Sequence, residues 1–235
     1  MALACNAAPF AHKGGGEKRG RWNGDEREVP LSKRRLDSSL VEAAHRAADA
    51  VAAVTKKYRA HQVTDEEDIT GVLVGRLDQT LQGTIGNLHW STSVVRHHSG
   101  VAAEEDRIGA DLVIHVELTS RDLSYSKGVL VQSKRIEAAV TLKGAKADSL
   151  FDQCEKMLSI TPAAFVFDYA TKGMRCASAT SVLGAPNVPL YETCVWTPYR
   201  FFLELFRCPI GDPRLTSALV EDLPAPTLVK LAARG

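Results

Sequence analysis

Residues 109–136, GADLVIHVELTSRDLSYSKGVLVQSKRI, hold two short runs rich in Val, Ile and Leu on either side of a turn-forming stretch. In the first run, residues 111–118, Asp111, Val113, His115 and Glu117 alternate with Leu112, Ile114, Val116 and Leu118. Side chains of an extended chain point to opposite faces at period two, so this run reads as a strand with one aliphatic face. Ser124-Tyr125-Ser126-Lys127-Gly128 supplies a turn, and residues 129–136 form a second strand with Gln132 and Lys134 on one face. Asp111 therefore stands at the start of one predicted strand, and Gln132 and Lys134 two residues apart near the end of the next.

Upstream, residues 93–98 predict a strand closed by His98-Ser99-Gly100, so three strands in succession predict a meander. Before it the period changes to that of helices. Leu40, Ala44, Ala47, Val51, Val54 and Tyr58 recur at steps of four and three over residues 39–59, with Ser39 and Glu42 spaced as a capping box. Thr64 and Glu67 are spaced as a second one, opening a helix whose stripe is Ile69, Leu73, Leu77 and Leu81 and which ends near Gly83. Downstream, Leu150, Phe151, Cys154 and Leu158 mark a helix over residues 148–159, and Ala163-Ala164-Phe165-Val166-Phe167 a buried strand. A short aromatic helix starts at Thr197-Pro198, with Trp196 and Phe201 at hydrophobic-staple positions. Residues 211–235 carry no clear period. The expected organisation is a flexible basic tail (1–35), an N-terminal helix (36–62), a core (63–185) and a helical or irregular extension packed on it (186–235).

Composition restricts the partners. With 235 residues, 45% apolar and 24% charged, the chain is an ordinary globular one, which excludes collagen-like, mucin-like and wholly disordered classes. Formal charge is +1, so a polyanion must be held by a local patch. Lys33, Arg34 and Arg35 close a basic N-terminal stretch, and Arg96, Arg107, Lys127 and Arg135 are further phosphate-neutralising candidates. No apolar run approaches the roughly 18 residues of a membrane span and no secretory n-region is present, so no membrane contact is expected and a cytoplasmic location is. Five cysteines without a C-x-x-C pair spell neither a zinc ribbon nor a disulfide framework.

A carboxylate at one strand start, with an oxygen acceptor and a lysine two residues apart on the next, outlines a hydrolytic metal site. Hard cations take oxygen ligands in octahedral geometry, and a lysine can orient water and offset phosphate charge. In this setting Gly109-Ala110-Asp111 followed by Gln132-Ser133-Lys134, inside an αβββαβ order, resembles the PD-(D/E)xK nuclease superfamily, in its Mrr-like and uncharacterised bacterial branches where Q-x-K replaces E-x-K. The resemblance covers roughly residues 64–170. It implies an α/β restriction-endonuclease-like fold, a mixed central sheet flanked by helices, and metal-dependent phosphodiester hydrolysis on nucleic acid, with DNA favoured. It further implies Mg²⁺ or Mn²⁺ as cofactor, Asp111 and Gln132 as metal ligands, Lys134 as catalytic lysine and Gln153 as a phosphate-binding or site-ordering residue. Such enzymes commonly serve restriction, phage defence or repair, and many form homodimers or borrow specificity from a partner protein.

The superfamily commonly adds a carboxylate from the preceding helix. At about 100° per residue, the stripe of Ile69, Leu73, Leu77 and Leu81 centres close to Glu66, with Glu67 about a quarter turn away. An acid heading an apolar stripe needs a charged or metal partner, which makes Glu66 the expected third ligand, with Glu67, Glu104 and Glu105 as rivals. Glutamine for glutamate removes one negative charge from the metal cage. The alternative is thus a catalytically weak or inactive nucleic-acid-binding or partner-binding module of the same fold. A third possibility is a dimeric interaction protein built on the helices of residues 39–82.

Overall fold

The computed structural model describes residues 30–96 and 108–235. Helices α1 (Leu31–Arg59) and α2 (Glu66–Thr80) lead into strands β1 (Gly83–Ile85) and β2 (Leu88–Arg96). Strands β3 (Leu112–Thr119) and β4 (Ser124–Lys134) follow, then helix α3 (Ala145–Ile160) and strands β5 (Ala164–Ala170) and β6 (Gly173–Ser178). Short helices α4 (Ala179–Leu183) and α5 (Leu190–Thr193) precede α6 (Pro198–Phe206), α7 (Ser217–Asp222) and the last strand, β7 (Thr227–Arg234).

The strands form one mixed, open sheet in the order β1-β2-β7-β3-β4-β5-β6 among the described residues. β3 runs antiparallel to β4, and β4 parallel to β5. Period two then divides the sheet into two buried faces. Leu112, Ile114, Val116, Val129, Val131, Phe165 and Phe167 pack with α1, α2 and α6. Val113, Leu130, Ala164 and Val166 pack on the opposite side with α3, α4 and α7. The protein is therefore α/β, with a mixed sheet between helical layers, as its alternating periods require.

Three local expectations are corrected. Ser39 is not a helix cap: Pro30 sits at the N-cap of α1, and Ser39 is buried eight residues into the helix. Its hydroxyl donates to the Arg35 carbonyl and accepts from the Asn87 main-chain N–H. The helix extends N-terminally because Leu36 joins the core and Arg207 grips Asp37 through two 2.7 Å bonds, so Lys33, Arg34 and Arg35 ride on α1 and do not belong to a tail. The second capping box is likewise absent, since α2 is headed by Asp65 without a side-chain cap bond and Thr64 offers its carbonyl to Arg135. Residues 1–29, His97, His98, Glu104, Glu105 and Arg107 lie outside the described residues.

The meander is also corrected. β2 and β3 do not touch. β7 lies between them, antiparallel to β2 and parallel to β3, pairing eight residues with each. The C-terminal segment is thus no mere extension, because its last strand occupies the middle of the sheet. The aromatic helix does form as α6, capped by the Thr197 hydroxyl, which accepts from the Arg200 amide. Trp196 and Phe201 there meet on the ring of Phe165, whose centroid lies 6.1 and 5.2 Å from theirs. The alanine stripe of α1 (Ala43, Ala44, Ala47, Ala50) is fully buried within the chain, which leaves it no surface for a second copy.

Candidate functional site

Antiparallel pairing of β3 with β4 begins at Leu112 opposite Val131, which brings Asp111 beside Gln132 at one end of the sheet. The Gln132 amide nitrogen donates to Asp111 Oδ2 at 2.7 Å, and the Ser133 main-chain N–H donates to the same oxygen at 2.7 Å. The amide also donates to the Ser133 carbonyl at 3.1 Å, so both acceptors fix which end of the glutamine is nitrogen. Its other end, Oε1, is buried and has no hydrogen-bond partner. A buried acceptor in that state carries the full desolvation cost of about 1–3 kcal/mol.

Lys134, two residues on, shares the face of Gln132 and is half-buried. Its Nζ lies 3.4 Å from Glu66 Oε1, at the start of α2, while Glu66 Oε2 accepts the Arg135 main-chain N–H at 2.8 Å. The approach of α2 is set from the other face of the sheet. There the Thr70 hydroxyl lies 3.1 Å from Ser133 Oγ and 3.4 Å from the Tyr169 hydroxyl, joining α2, β4 and β5 in one small buried network. Burial pushes the Tyr169 hydroxyl up to about 12, so it stays a neutral member of that network. Glu67 is exposed.

α3 closes the site from the side of Gln132. Gly109, at φ +70°, lies so near the Gln153 main chain that an added Cβ would come within 2.4 Å of the Gln153 carbonyl oxygen. Only glycine allows both the backbone angle and this approach. Gln153 is half-buried, and its Oε1 too is buried without a partner. Asp111, Gln132, Lys134, Glu66 and Gln153 thus come from four elements to one end of the sheet. His115 does not join them, since four residues of strand rise place it roughly 13 Å from Asp111. It is buried, hydrogen-bonded to Ser126 Oγ at 3.0 Å, and held below its ordinary pKa by desolvation.

Two residues sit in surroundings that the sequence does not suggest. Lys127 is no phosphate contact, because it is buried, with its ammonium bonded to the Ile210 carbonyl and over the Tyr125 ring. Asp168, which no motif in the sequence marks, is fully buried on β5 directly opposite Lys134. Its Oδ1 accepts the Ile136 main-chain N–H at 3.1 Å, and its Oδ2 is buried without a partner. Burial raises its carboxyl to about 7, against the lowering effect of the Ile136 bond, with the charges of Glu137 and Glu66 adding to the rise. The signal for it was present: extending the period-two run beyond Phe167 puts Asp168 on the face of Ala164 and Val166.

The pH consequence follows from linkage. A carboxyl raised on folding binds its proton in the folded state at pH values where the unfolded chain has released it, so stability declines as pH rises from about 4 to about 7. Each unit of that window is worth about 1.4 kcal/mol at most. The Asp168→Asn variant is therefore expected to melt above the wild-type protein at pH 8 and level with it near pH 4. Thermal denaturation across that range measures it, and a constant difference would show that Asp168 does not titrate as described.

The donor chemistry suits a hard cation. Asp111 supplies a carboxylate, and Gln132 and Gln153 each present an amide oxygen that lacks any other partner, which is the oxygen set such ions take. Among the described residues no group of three or more His, Cys, Asp and Glu side chains stands at ion-binding spacing, so the candidate set is a mixed carboxylate and amide one. No described helix is long and apolar enough to cross a membrane. No family model, curated protein or solved structure matches the chain.

Proposed function

We propose that this protein is a metal-dependent phosphodiesterase of the restriction-endonuclease-like kind, acting on nucleic acid and foremost on DNA. The observation that supports it is the convergence of Asp111, Gln132 and Lys134 on one end of the sheet. Asp111 and Gln132 lie 21 positions apart in sequence and are hydrogen-bonded across adjacent strand ends, with Lys134 two residues on and Glu66 at its ammonium.

In this reading Asp111 and the Gln132 Oε1, with Glu66, would hold a Mg²⁺ or Mn²⁺ ion, whose chemistry when bound would be polarisation of a phosphoryl oxygen and acidification of water. Asp111 is kept in orientation by the Ser133 N–H, so its carboxylate meets a ligand without reorganising. Lys134 presents its ammonium to the attacking water and to the charge that builds on the phosphate. Gln153 orders the substrate side of the site from α3. A partner protein or second copy would supply sequence selectivity, with exposed Arg135 at the rim as a phosphate contact.

One observation favours the second reading, a binding module with weak or no catalysis. The Gln132 amide N–H is already given to Asp111, and the Lys134 charge is met by Glu66, so these groups have partners within the chain. The two readings separate on incubation of purified protein with plasmid, linear and single-stranded DNA and RNA, in Mg²⁺, Mn²⁺ or EDTA. Cleavage that needs metal and falls by about 10²-fold or more in Lys134→Ala is expected. Binding retained in both proteins with no cleavage of any substrate would establish the module instead.

A further inference from the structure

Asp168 presents a problem that the residues around it do not solve. It is the acid in register with Lys134 across the parallel β4–β5 pair, on the same face, and it has no exposed surface. The Ile136 N–H holds one carboxylate oxygen and leaves the other buried with nothing bonded to it. The neighbouring cation on its other side, Arg175 of β6, is committed elsewhere, its guanidinium stacked 4.2 Å above the Tyr191 ring. Lys134, meanwhile, holds Glu66 by one long contact of 3.4 Å, and Glu66 is itself shared with the Arg135 N–H.

We propose that Asp168 is a positioning residue for Lys134: a second carboxylate to which the ammonium passes when Glu66 is drawn to a cation. This inference rests on the phosphodiesterase reading for the role of Lys134, and on register and burial for the contact. Adjacent strands lie about 4.8 Å apart, a gap that a flexible four-carbon stem crosses easily. An ammonium arriving at Oδ2 satisfies the unbonded oxygen and removes its desolvation cost. The carboxyl is poised by burial close to neutrality, so it ionises as the ammonium arrives. Lys134 thus stays anchored beside the scissile phosphate whether or not Glu66 holds it. A lysine released into solvent would adopt many rotamers.

The test uses the reactivity of Lys134 toward an amine-acetylating reagent on the full chain without metal, mapped by mass spectrometry. Four proteins are compared: wild type, Glu66→Gln, Asp168→Asn and the double variant. Each single substitution is expected to raise the Lys134 rate less than about 3-fold and the pair at least about 10-fold, the non-additive pattern of two groups sharing one partner. Buried Lys127 stays unlabelled in any variant that remains folded, and Asp168→Ser replaces Asp168→Asn if it does not. A full rise in Glu66→Gln alone, or no added rise in the double variant, overturns the proposal. In the cleavage assay Asp168→Asn is expected to lower kcat about 10-fold with KM unchanged. If the wild-type protein cuts nothing, the phosphodiesterase reading falls, and the labelling cycle still decides whether Asp168 holds Lys134.

Discussion

A chain ending at Pro226 is expected not to fold. Removing residues 227–235 deletes β7 from the middle of the sheet, where it pairs along its whole length with β2 on one side and β3 on the other. Leu228, Val229, Leu231 and Ala233, all buried, leave with it. At about 1.5–3 kcal/mol for each large side chain, the three larger ones alone account for roughly 5–9 kcal/mol. That is comparable with the roughly 5–15 kcal/mol that separates folded from unfolded domains. The N–H and C=O groups of β2 and β3 that β7 satisfies would also face an open slot in the core, each uncompensated. Far-UV circular dichroism of the truncated chain should show the loss of cooperative melting. A native-like transition would mean that β2 and β3 can close on one another as the sequence-based meander expects.

Under the proposed phosphodiesterase activity, Asp111→Asn is expected to leave the fold intact and to reduce cleavage by about 10³-fold, the scale of removing a preorganised charge from a reacting centre. The asparagine carbonyl can still accept the Gln132 amide and the Ser133 N–H at the place where Oδ2 accepts them, so the strand ends stay joined. What disappears is the negative charge. Since Gln132 contributes none, Asp111 and Glu66 are the carboxylates left to the proposed cation, and losing one halves its anionic complement. Asp111→Ala behaves differently, because it strands two N–H donors and adds a stability loss of about 1–3 kcal/mol for each group that water cannot reach. Initial rates at saturating Mn²⁺, with melting temperatures in parallel, separate the two effects. Activity in Asp111→Asn within 10-fold of wild type would remove Asp111 from the ligand set and the hydrolytic mechanism with it.

The neighbourhood of the candidate residues was legible because they sit in or beside regular strands and helices. The alternation around Asp111 and the spacing of Gln132 and Lys134 define which side chains share a face, and the angular position of Glu66 on α2 singled it out over Glu67, which is exposed. Asp168 does not stand out in the sequence, because an acid at the end of an apolar run looks like a strand terminus. Its meaning depends on lying opposite Lys134, 34 residues away. Lys127 misled for the converse reason. A lysine in a turn-rich stretch reads as exposed, whereas the carbonyl of Ile210 and the ring of Tyr125 enclose it.

Periodicity is a property of neighbours in the chain, so helices over the stripe of Leu40 to Val54 and over Ile69 to Leu77, strands β3, β4 and β5, and the face that carries Gln132 and Lys134 could all be read from residue order. Strand adjacency is not such a property. Thr227–Arg234, with its alanines, lysine and arginine, has no marked β pattern, and it is extended because β2 and β3 each offer it a full row of hydrogen bonds. Other contacts between distant parts of the chain bury Asp168, close Gly109 against Gln153 and set Glu66 at the ammonium of Lys134. Such contacts are decided by the total of burial and bonding over the whole sheet, a sum that no local window of sequence contains.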